Sequence, residues 1–257
     1  MSLFRRGKTA FRVLRNEGVA GIVSLLISKF GSPKSRWRVN TTSEREFWDS
    51  YFQTKGLEWA ASYQTRFDPD LPLQERAAAL LPPEESVHIL DVGAGPLTCL
   101  GKRAEGKRLT ITAVDPLADE YDKILKKHGI QPLVRTRKLA AEELTQAFPV
   151  NTYDLVFARN CIDHSYNPER AILEMINVVK RGRYVLLEHL PNEGKSENYQ
   201  GLHQWNFSSS KEGDFLISSR RKSVNMTKRY AHLCTITCDV VNTGKGGDWL
   251  ITRILKK

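Results

Sequence analysis

The sequence predicts an α/β fold, a doubly wound and mostly parallel sheet of seven strands with a C-terminal antiparallel hairpin. Two observations lead to this prediction. Beyond residue 85, short apolar runs of strand length alternate with stretches of helical pattern, which is typical of parallel strands joined by helices. Near the C-terminus two strand-like runs flank a glycine-rich loop with no helix between them. This arrangement indicates a hairpin at one edge of the sheet.

The predicted elements follow one another as a doubly wound sheet requires. Parallel strands are expected at residues 87–92, 109–114, 133–136, 153–158 and 184–188. Helices are expected at 120–127, 141–147 and 168–179, and the hairpin strands at 232–241 and 249–255. Such sheets bind ligands in the crevice at the carboxyl ends of their strands, so the loops there are the first candidates for a site.

The net charge of the 257-residue chain is +10, and most of it belongs to the N-terminal segment. Residues 1–38 carry nine Lys or Arg residues and one acid, which gives +8 and leaves +2 for the remainder. A nearly neutral body does not indicate a nucleic-acid-binding face. We divide the chain into a basic amphipathic arm at 1–40, a helical cap at 41–85 and a main domain at 86–257, with an insertion at about 191–230.

Apolar residues of the arm recur at helical spacing between Val19 and Phe30. A basic amphipathic helix of this kind binds anionic membrane surfaces. Packing on the body or on a partner subunit is an alternative, and a targeting peptide is a third. Gly31-Ser32-Pro33 is expected to end the helix and act as a linker. The oligomeric state stays open.

The cap is rich in aromatic residues and is expected to begin with a helix near Thr41. The capping pattern of Thr42, Ser43 and Glu46 precedes its first apolar positions, and a further helix is expected at 73–81. The aromatic residues are Trp48, Tyr51, Trp59 and Tyr63. They either roof a bound ligand, with ring faces toward a positive charge, or pack as core between the cap and the sheet.

The cysteines indicate a reducing compartment. Cys99, Cys161, Cys234 and Cys238 form no C-x-x-C pair, and the sequence has no secretory cleavage pattern. No apolar run reaches the roughly 18 residues that span a bilayer. We therefore expect a cytoplasmic protein, at the inner face of the membrane if the arm binds lipid. No metal site is expected, because the His and Asp residues lack a diagnostic spacing.

A glycine turn follows the first predicted strand. The residues are Asp91, Val92, Gly93, Ala94 and Gly95, and the second strand ends at Asp115, 20 residues after Gly95. Glycines after a parallel strand let the backbone approach a ligand closely. An acid at that distance can accept hydrogen bonds from ribose hydroxyls. The pattern indicates an adenosine-containing cofactor; a tight turn with a helix-capping Asp is the structural alternative.

These motifs resemble those of the class I S-adenosylmethionine-dependent methyltransferases, of the type 11-like group. The resemblance covers about residues 87–190. Its first two motifs are His88-Ile89-Leu90-Asp91-Val92-Gly93-Ala94-Gly95 and Ala113-Val114-Asp115-Pro116. The fourth strand and its loop look like 153–160 followed by Ile162-Asp163-His164, and the fifth strand looks like 180–187. The resemblance implies a Rossmann-like methyltransferase fold and S-adenosyl-L-methionine as the cofactor.

The resemblance also implies which residues bind the cofactor. They are Asp91, Gly93, Ala94, Gly95, Asp115, Pro116, Leu117, Ala141, Glu142 and Asn160. Asp91 would orient the turn and meet the methionine amino group, Asp115 would bind the ribose, and Asn160 would lie near the methionine end. The family's third glycine is Leu97 here. The acid often found in the adenine-binding loop is Ala140, so the adenine contact falls to Ala141 or to the backbone or side chain of Glu142.

Three of the six histidines are candidates for a general base, the group that removes a hydroxyl proton. His164 follows the fourth strand, His189 ends the fifth, and His203 lies in the insertion where this family usually forms its acceptor site. Two of them have an alternative interpretation. The Asp163-His164 loop occurs in many methyltransferases whatever their substrate, and His203 could simply be a lid residue packed on Trp205.

The predicted function is S-adenosylmethionine-dependent O-methylation of a sugar, a glycan or another small polar acceptor. The basic arm and the polar, aromatic insertion favour a glycan at a membrane surface. The alternatives are methylation of RNA, which the nearly neutral body disfavours, and a catalytically inactive methyltransferase-like scaffold, which the intact cofactor motif disfavours.

Overall fold

The computed structural model describes residues 32–57, 59–244 and 247–257, together with residue 27. The strands are β1 (Ser86–Val92), β2 (Arg108–Asp115), β3 (Thr136–Lys138), β4 (Tyr153–Arg159), β5 (Val179–His189), β6 (Asn206–Ser209), β7 (Phe215–Ser218), β8 (Ser223–Asn225), β9 (Cys234–Asn242) and β10 (Asp248–Lys256). The α-helices are α1 (Pro33–Gln53), α2 (Ala60–Arg66), α3 (Glu75–Ala78), α4 (Ala118–Lys127), α5 (Pro168–Val178), α6 (Glu193–Ser196) and α7 (Met226–Arg229). Two 3₁₀ turns are Ala141–Gln146 and Ile162–His164.

The large sheet confirms the predicted fold class. Its strand order is β3-β2-β1-β4-β5-β10-β9. β1 to β5 run parallel to one another, whereas β10 is antiparallel to both β5 and β9. The order reverses between β1 and β4, so a crevice opens at the carboxyl ends of these strands, where such sheets bind ligands. The C-terminal hairpin forms the edge of the sheet, as its glycine-rich loop predicts.

Helices cover both faces of this sheet because successive strand residues point to opposite sides. In β4, Val156 and Ala158 belong to the core shared with α5, while Leu155 and Phe157 belong to the core shared with the α3 segment. A third cluster joins aromatic residues of α1 to α4. This last contact holds α1 near the carboxyl ends of β1 and β2, and therefore over the crevice.

The first described helix starts earlier than predicted. α1 begins at Pro33, and the side chain of Ser32 caps it by accepting a hydrogen bond from the Ser35 N–H (3.2 Å). Proline is favoured in a first helical turn because its missing N–H would have no partner there. Ser32-Pro33 thus starts a helix instead of forming a linker, and the predicted capping pattern at Thr42 lies inside α1. The predicted boundary at 40/41 also falls within this helix.

The predicted helix of the arm lies outside the described residues, apart from residue 27. Among the helices that the structure describes, none combines the length and the apolar character that crossing a membrane requires.

Three shorter elements differ from the prediction. The strand expected at 133–136 is Thr136–Lys138, because it pairs with the last residues of β2 and not with its middle. The helix expected at 73–81 is reduced to α3, which continues as tight turns up to Leu81. The helix expected at 141–147 is a 3₁₀ turn with a kink at Glu143.

The insertion contains a second sheet that the sequence did not indicate. β6, β7 and β8 form a three-stranded antiparallel sheet. These strands have only three or four residues each and carry several serines, so they lack a strong strand pattern. Their buried side chains Phe207, Phe215 and Ile217 join the core around α5. The insertion is therefore packed on the main sheet.

Candidate active site

One cavity of about 1290 Å³ lies at the carboxyl ends of the parallel strands. The loops after β1, β2, β4 and β5 form its floor, and α1 and α2 contribute its roof. All ten residues that the resemblance assigns to the cofactor lie in its wall: Asp91, Gly93, Ala94, Gly95, Asp115, Pro116, Leu117, Ala141, Glu142 and Asn160. The structure thus brings together residues that the sequence spreads over 70 positions, from 91 to 160.

The glycine turn presents bare backbone to this cavity. Gly93 and Gly95 have φ angles of 70° and 64°, which side chains rarely adopt. A Cβ atom on Gly93 would lie 2.5 Å from the Cys161 Sγ, and one on Gly95 would lie 2.8 Å from the Trp48 ring. The Gly93 N–H donates to the Val114 carbonyl (2.8 Å), which ties the turn to β2. Only glycine fits these two positions without displacing a neighbour.

Asp115 lies at the end of β2 with its side chain in the cavity wall. Its carboxylate accepts hydrogen bonds from the Leu117 N–H (2.8 Å) and the Gly95 N–H (3.2 Å). Burial raises the pKa of Asp115 to about 7, although both hydrogen bonds oppose the shift. An ionised carboxylate has about four acceptor sites, so about two remain for donors such as the ribose hydroxyls. The residues present therefore fit an adenosyl group.

Asp91 supports the turn from below. Its carboxylate accepts a hydrogen bond from the Thr98 hydroxyl (2.5 Å), and the Thr98 oxygen accepts one from the Leu100 N–H (3.1 Å). Burial raises the pKa of Asp91 to about 6, against the opposing effects of the Thr98 hydrogen bond and the Arg66 charge. These contacts tie Asp91 to the segment that follows the turn; its role in orienting the turn stays a prediction.

Glu142 holds the start of α5. Its carboxylate accepts a hydrogen bond from the Asn167 N–H (3.0 Å), and burial raises its pKa to about 7. The Asn167 side chain in turn caps α5 by accepting from the Arg170 N–H (3.2 Å). Because the Glu142 side chain has this structural partner, the arrangement favours the backbone of Ala141 and Glu142 as the adenine contact.

Asn160 lies where β4 enters the loop of the site, with a φ of 46°. Its N–H donates to the Glu188 carbonyl (2.8 Å), and its side-chain oxygen accepts from the Leu190 N–H (3.1 Å). Both bonds join the ends of β4 and β5, so they hold this part of the cavity floor in place.

The roof comes from aromatic residues of the cap. Trp48, Tyr51 and Trp59 line the cavity, whereas Tyr63 packs on Phe67, with ring centroids 4.9 Å apart. The Trp48 indole N–H donates to Glu44 (2.9 Å), one helical turn earlier in α1. Glu44 was not predicted as a site residue. Its four-residue spacing from Trp48, within the helix predicted from Thr41, was the available signal.

His164 and His203 meet beside the loop after β4. His164 Nε2 lies 3.1 Å from His203 Nδ1, and His203 Nδ1 lies 3.3 Å from the Asp163 carboxylate. His164 lines the cavity, and the other two stand behind it. Burial opposes ionisation of Asp163, but the charge of His164 and the hydrogen bond from His203 outweigh it and lower its pKa. The hydrogen bond to Asp163 raises the pKa of His203 against its partial burial.

Two further carboxylates approach this cluster. Glu193 lies 3.7 Å from His203 Nδ1, and Glu44 lies 3.7 Å from His164 Nδ1. Burial raises the pKa of Glu193, and the charge of Asp163 adds to this effect. Neither Asp163 nor Glu193 was predicted as a site residue. The adjacency of Asp163 to His164 was the available signal, whereas nothing in the sequence relates Glu193 to a loop about 30 residues earlier.

His189 does not fit its predicted catalytic role. It is 2% exposed, packs on Phe207 with ring centroids 4.6 Å apart, and lies outside the wall of the cavity. Its Nε2 accepts a hydrogen bond from the Ile162 N–H (3.3 Å). Burial lowers its pKa to about 4. The alternation of β5 residues turns this side chain into the core, where it supports the loop that carries His164.

The sheet order, the glycine turn and Asp115 at the end of β2 correspond to the motifs of class I S-adenosylmethionine-dependent methyltransferases. Residues 90–187 match the family model described as a methyltransferase domain. This part of the chain is therefore a methyltransferase domain of that class, with S-adenosylmethionine as its cofactor.

The chain is 31% identical over 103 residues to a phosphatidylethanolamine N-methyltransferase of Cereibacter sphaeroides. The match covers 38% of this chain and 48% of that protein, so the chain spans about half the length of the curated relative.

Two solved structures are similar to this chain at low sequence identity. A Thermotoga maritima S-adenosylmethionine-dependent methyltransferase, described as a possible histamine N-methyltransferase, is 16% identical, with 83% of this chain and 97% of that chain covered and a TM-score of 0.49. The second is the 1,6-didemethyltoxoflavin-N1-methyltransferase of Burkholderia thailandensis with 1,6-didemethyltoxoflavin and S-adenosylhomocysteine. It is 14% identical, with 83% and 87% covered and a TM-score of 0.45.

Proposed function

We propose that the protein transfers a methyl group from S-adenosylmethionine to a hydroxyl of a sugar, a glycan or another small polar acceptor. The layout of the cavity is the main support. One end carries the glycine turn and Asp115, and the other carries His164 with Asp163 and His203 behind it. A cofactor at the first end would lie beside groups that can assist a hydroxyl at the second.

The residues of the cofactor end bind and orient. Bound S-adenosylmethionine supplies an electrophilic methyl group: as the acceptor oxygen bonds to carbon, the carbon–sulfur bond breaks, sulfur keeps the electron pair and the acceptor releases its proton. Asp115 accepts hydrogen bonds from the ribose, Asp91 meets the amino group, and the backbone of 93–95 lies alongside. Their contribution is to hold the reactants in line and exclude water.

The remaining space suits a polar acceptor with rings. The cavity of about 1290 Å³ exceeds the range of about 300–1000 Å³ usual for one drug-sized ligand, so an acceptor can bind beside the cofactor. Trp37, Trp59 and Tyr166 line it together with Arg38 and Glu143. Flat ring faces beside hydrogen-bonding side chains match the apolar faces and hydroxyl edges of sugars.

The basic arm supports an acceptor at a membrane surface. Residues 1–38 carry a charge of +8, and clustered Lys and Arg residues bind anionic lipid. We therefore extend the proposal to lipid-linked glycans on the cytoplasmic face of a membrane.

A second candidate is N-methylation of a lipid headgroup amine. It is favoured by the identity to the Cereibacter sphaeroides phosphatidylethanolamine N-methyltransferase. Glu44, Trp37 and Trp59 in the cavity wall supply the carboxylate and ring faces that bind an ammonium group. The two candidates differ in the atom that receives the methyl group.

The proposal is tested with the purified full-length chain in two stages. Calorimetric titration with S-adenosylmethionine is expected to give saturable binding that Asp115→Ala weakens and Asp119→Ala, an exposed acid on α4, does not. Release of S-adenosylhomocysteine is then measured with glycans, phosphatidylethanolamine vesicles and RNA as acceptors. Mass spectrometry of the product identifies the methylated atom. Absence of saturable cofactor binding would overturn the proposal, and turnover restricted to an amine or to RNA would replace the hydroxyl acceptor.

A further inference from the structure

We propose that Asp163, His164 and His203 bind a divalent transition-metal ion at the acceptor end of the cavity, with Glu193 beside them as a further carboxylate. The sequence spacing did not indicate such a site, because His203 lies 39 residues after His164. The loop after β4 and the segment before β6 bring the three residues together.

The three donor atoms have the separations of ligands around one ion. His164 Nε2 and His203 Nδ1 are 3.1 Å apart, and the Asp163 Oδ2 lies 3.3 Å from His203 Nδ1 and 3.5 Å from His164 Nε2. In a tetrahedral site with metal–ligand bonds of about 2.0–2.1 Å, ligand atoms are about 3.3–3.4 Å apart. The atoms form a nearly equilateral triangle of this size. Two histidines and a carboxylate are also a ligand set that divalent transition metals prefer.

Two buried carboxylate oxygens without a hydrogen-bond partner favour a bound ion over a network of shared protons in this cluster. Among the described residues, the Asp163 Oδ1 and the Glu193 Oε2 have no hydrogen-bond partner. Asp163 is 2% exposed, and a buried acceptor without a donor is unfavourable. His164 Nε2, His203 Nδ1 and Asp163 Oδ2 lie within 3.5 Å of one another. There are too few protons between these three atoms to give each of them a hydrogen bond. A cation held by Asp163 Oδ2, the oxygen that faces both histidines, would balance the charge of the two carboxylates.

The surroundings of His164 fit a ligand role. Metal-bound histidines commonly direct their second ring nitrogen toward a carboxylate, and Glu44 lies 3.7 Å from His164 Nδ1. Glu44 is held by the Trp48 indole (2.9 Å). His164 also borders the cavity, so an open coordination position there would face the acceptor. A metal-bound hydroxyl loses its proton more readily than a free one; this last role rests on the proposed function, whereas binding of the ion does not.

The test measures metal binding without cofactor or acceptor. Full-length protein without a histidine tag is treated with a chelator and titrated with Zn²⁺, Mn²⁺, Co²⁺ and Mg²⁺. We expect about one ion per chain for Zn²⁺ or Co²⁺, with the visible absorption of Co²⁺ bound by nitrogen and oxygen ligands. His203→Gln and Asp163→Asn are expected to raise the Kd at least about a hundredfold. His232→Gln, at an exposed histidine, should leave it within about twofold of the parent.

Each outcome has one meaning. Cofactor binding by His203→Gln and Asp163→Asn shows that these variants are folded. No stoichiometric ion in the parent, or equal affinity in the parent and in both folded variants, overturns the metal site. Stoichiometric binding that both variants lose supports it, even if no hydroxyl acceptor is methylated, in which case the proposed function alone fails.

Discussion

The two ends of the cavity are built in different ways. The cofactor end comes mainly from two short stretches, 91–95 and 115–117, that follow adjacent parallel strands. The acceptor end is assembled from α1, the loop after β4, α6 and the segment before β6. The first is a local consequence of the strand–turn pattern, whereas the second exists only after distant segments have packed together.

The electrostatics of the two ends differ in the same way. Burial raises the pKa of Asp91 to about 6 and that of Asp115 to about 7, so these acids are poised for donors that a ligand would bring. At the acceptor end the neighbouring histidines lower the pKa of Asp163. Its charge is stabilised by the protein itself. The Asp163 carboxylate is therefore charged before any ligand binds, whereas Asp91 and Asp115 ionise only as the pH approaches their raised pKa values.

The largest expected effect is a loss of kcat on substitution at the acceptor end. His164→Ala should lower kcat by about 10²–10⁴-fold, the usual contribution of a group that assists proton removal. The Kd for S-adenosylmethionine should change much less, because His164 affects the cofactor end only through its charge near Asp115. Initial rates at saturating cofactor, together with calorimetry, measure both quantities. Unchanged kcat in this variant, with His232→Ala as the control, would exclude His164 from the reaction.

The next effect concerns the cofactor end alone. Asp115→Asn should raise the Kd for S-adenosylmethionine by about 10- to 100-fold, because hydrogen bonds to a charged group contribute about 1.5–3 kcal/mol. Metal binding and the histidine cluster should be unaffected. Asp119→Asn serves as the matched control. If both variants bind the cofactor like the parent, Asp115 does not hold the ribose.

The raised pKa of Asp115 gives the cofactor end a pH dependence. Ribose hydroxyls donate to the ionised carboxylate, so affinity should rise by up to about tenfold per pH unit below pH 7 and level off above it. The charges that face Asp115 are Glu44, which raises its pKa, and His164, which lowers it. Ionisation of Asp91, whose pKa is about 6, should also raise the affinity, at lower pH than that of Asp115. The measurement is a series of Kd values against pH. Loss of the pH dependence near pH 7 in Asp115→Asn would assign that dependence to Asp115.

The stability of the free protein should change with pH in the opposite sense. The folded-state pKa values of Asp91, Asp115 and Glu142 lie above their ordinary values. Between about pH 4 and pH 7 the folded chain therefore retains protons that the unfolded chain has lost, so these groups make the free energy of unfolding fall as pH rises. Thermal denaturation over this range measures the effect, and Asp115→Asn should reduce its slope.

A smaller effect is expected where the two ends are connected. Trp48→Phe keeps the ring over Gly95 but removes the hydrogen bond to Glu44, which contributes about 0.5–1.5 kcal/mol. We expect a two- to tenfold change in kcat, at roughly constant cofactor affinity. Trp59→Phe is the control within the same roof. A larger loss of cofactor affinity in Trp48→Phe would show that the indole itself contacts the cofactor.

The smallest effect on the site is expected from removal of the arm. Deletion of residues 1–31 leaves Ser32 to cap α1 and retains Lys34 and Trp37 in the cavity wall. Cofactor affinity should stay within about twofold, while flotation with anionic vesicles should be lost. Neutral vesicles are the control for charge. Retained flotation of the truncated chain would assign membrane attachment to another surface.

Much of the cofactor end could be predicted because its chemistry is local. A strand followed by Gly93-Ala94-Gly95, and a second strand ending in Asp115, indicate both the fold and the crevice in which we propose that the cofactor binds. The errors were in short elements. β3 and the insertion strands are set by tertiary pairing, since three or four residues carry too weak a pattern, and the start of α1 was obscured by treating Pro33 as a helix breaker.

By itself, the sequence predicted the parallel strands with their C-terminal hairpin, the glycine turn and the acid at the end of β2, because each follows from spacing along the chain. Only the tertiary structure decided which histidines meet. Burial in the core removed His189 from the site, while packing of the insertion placed His203 beside His164 and added Glu193 and Glu44. Side chains 39 positions apart have no common periodicity, so their contact depends on how the layers pack.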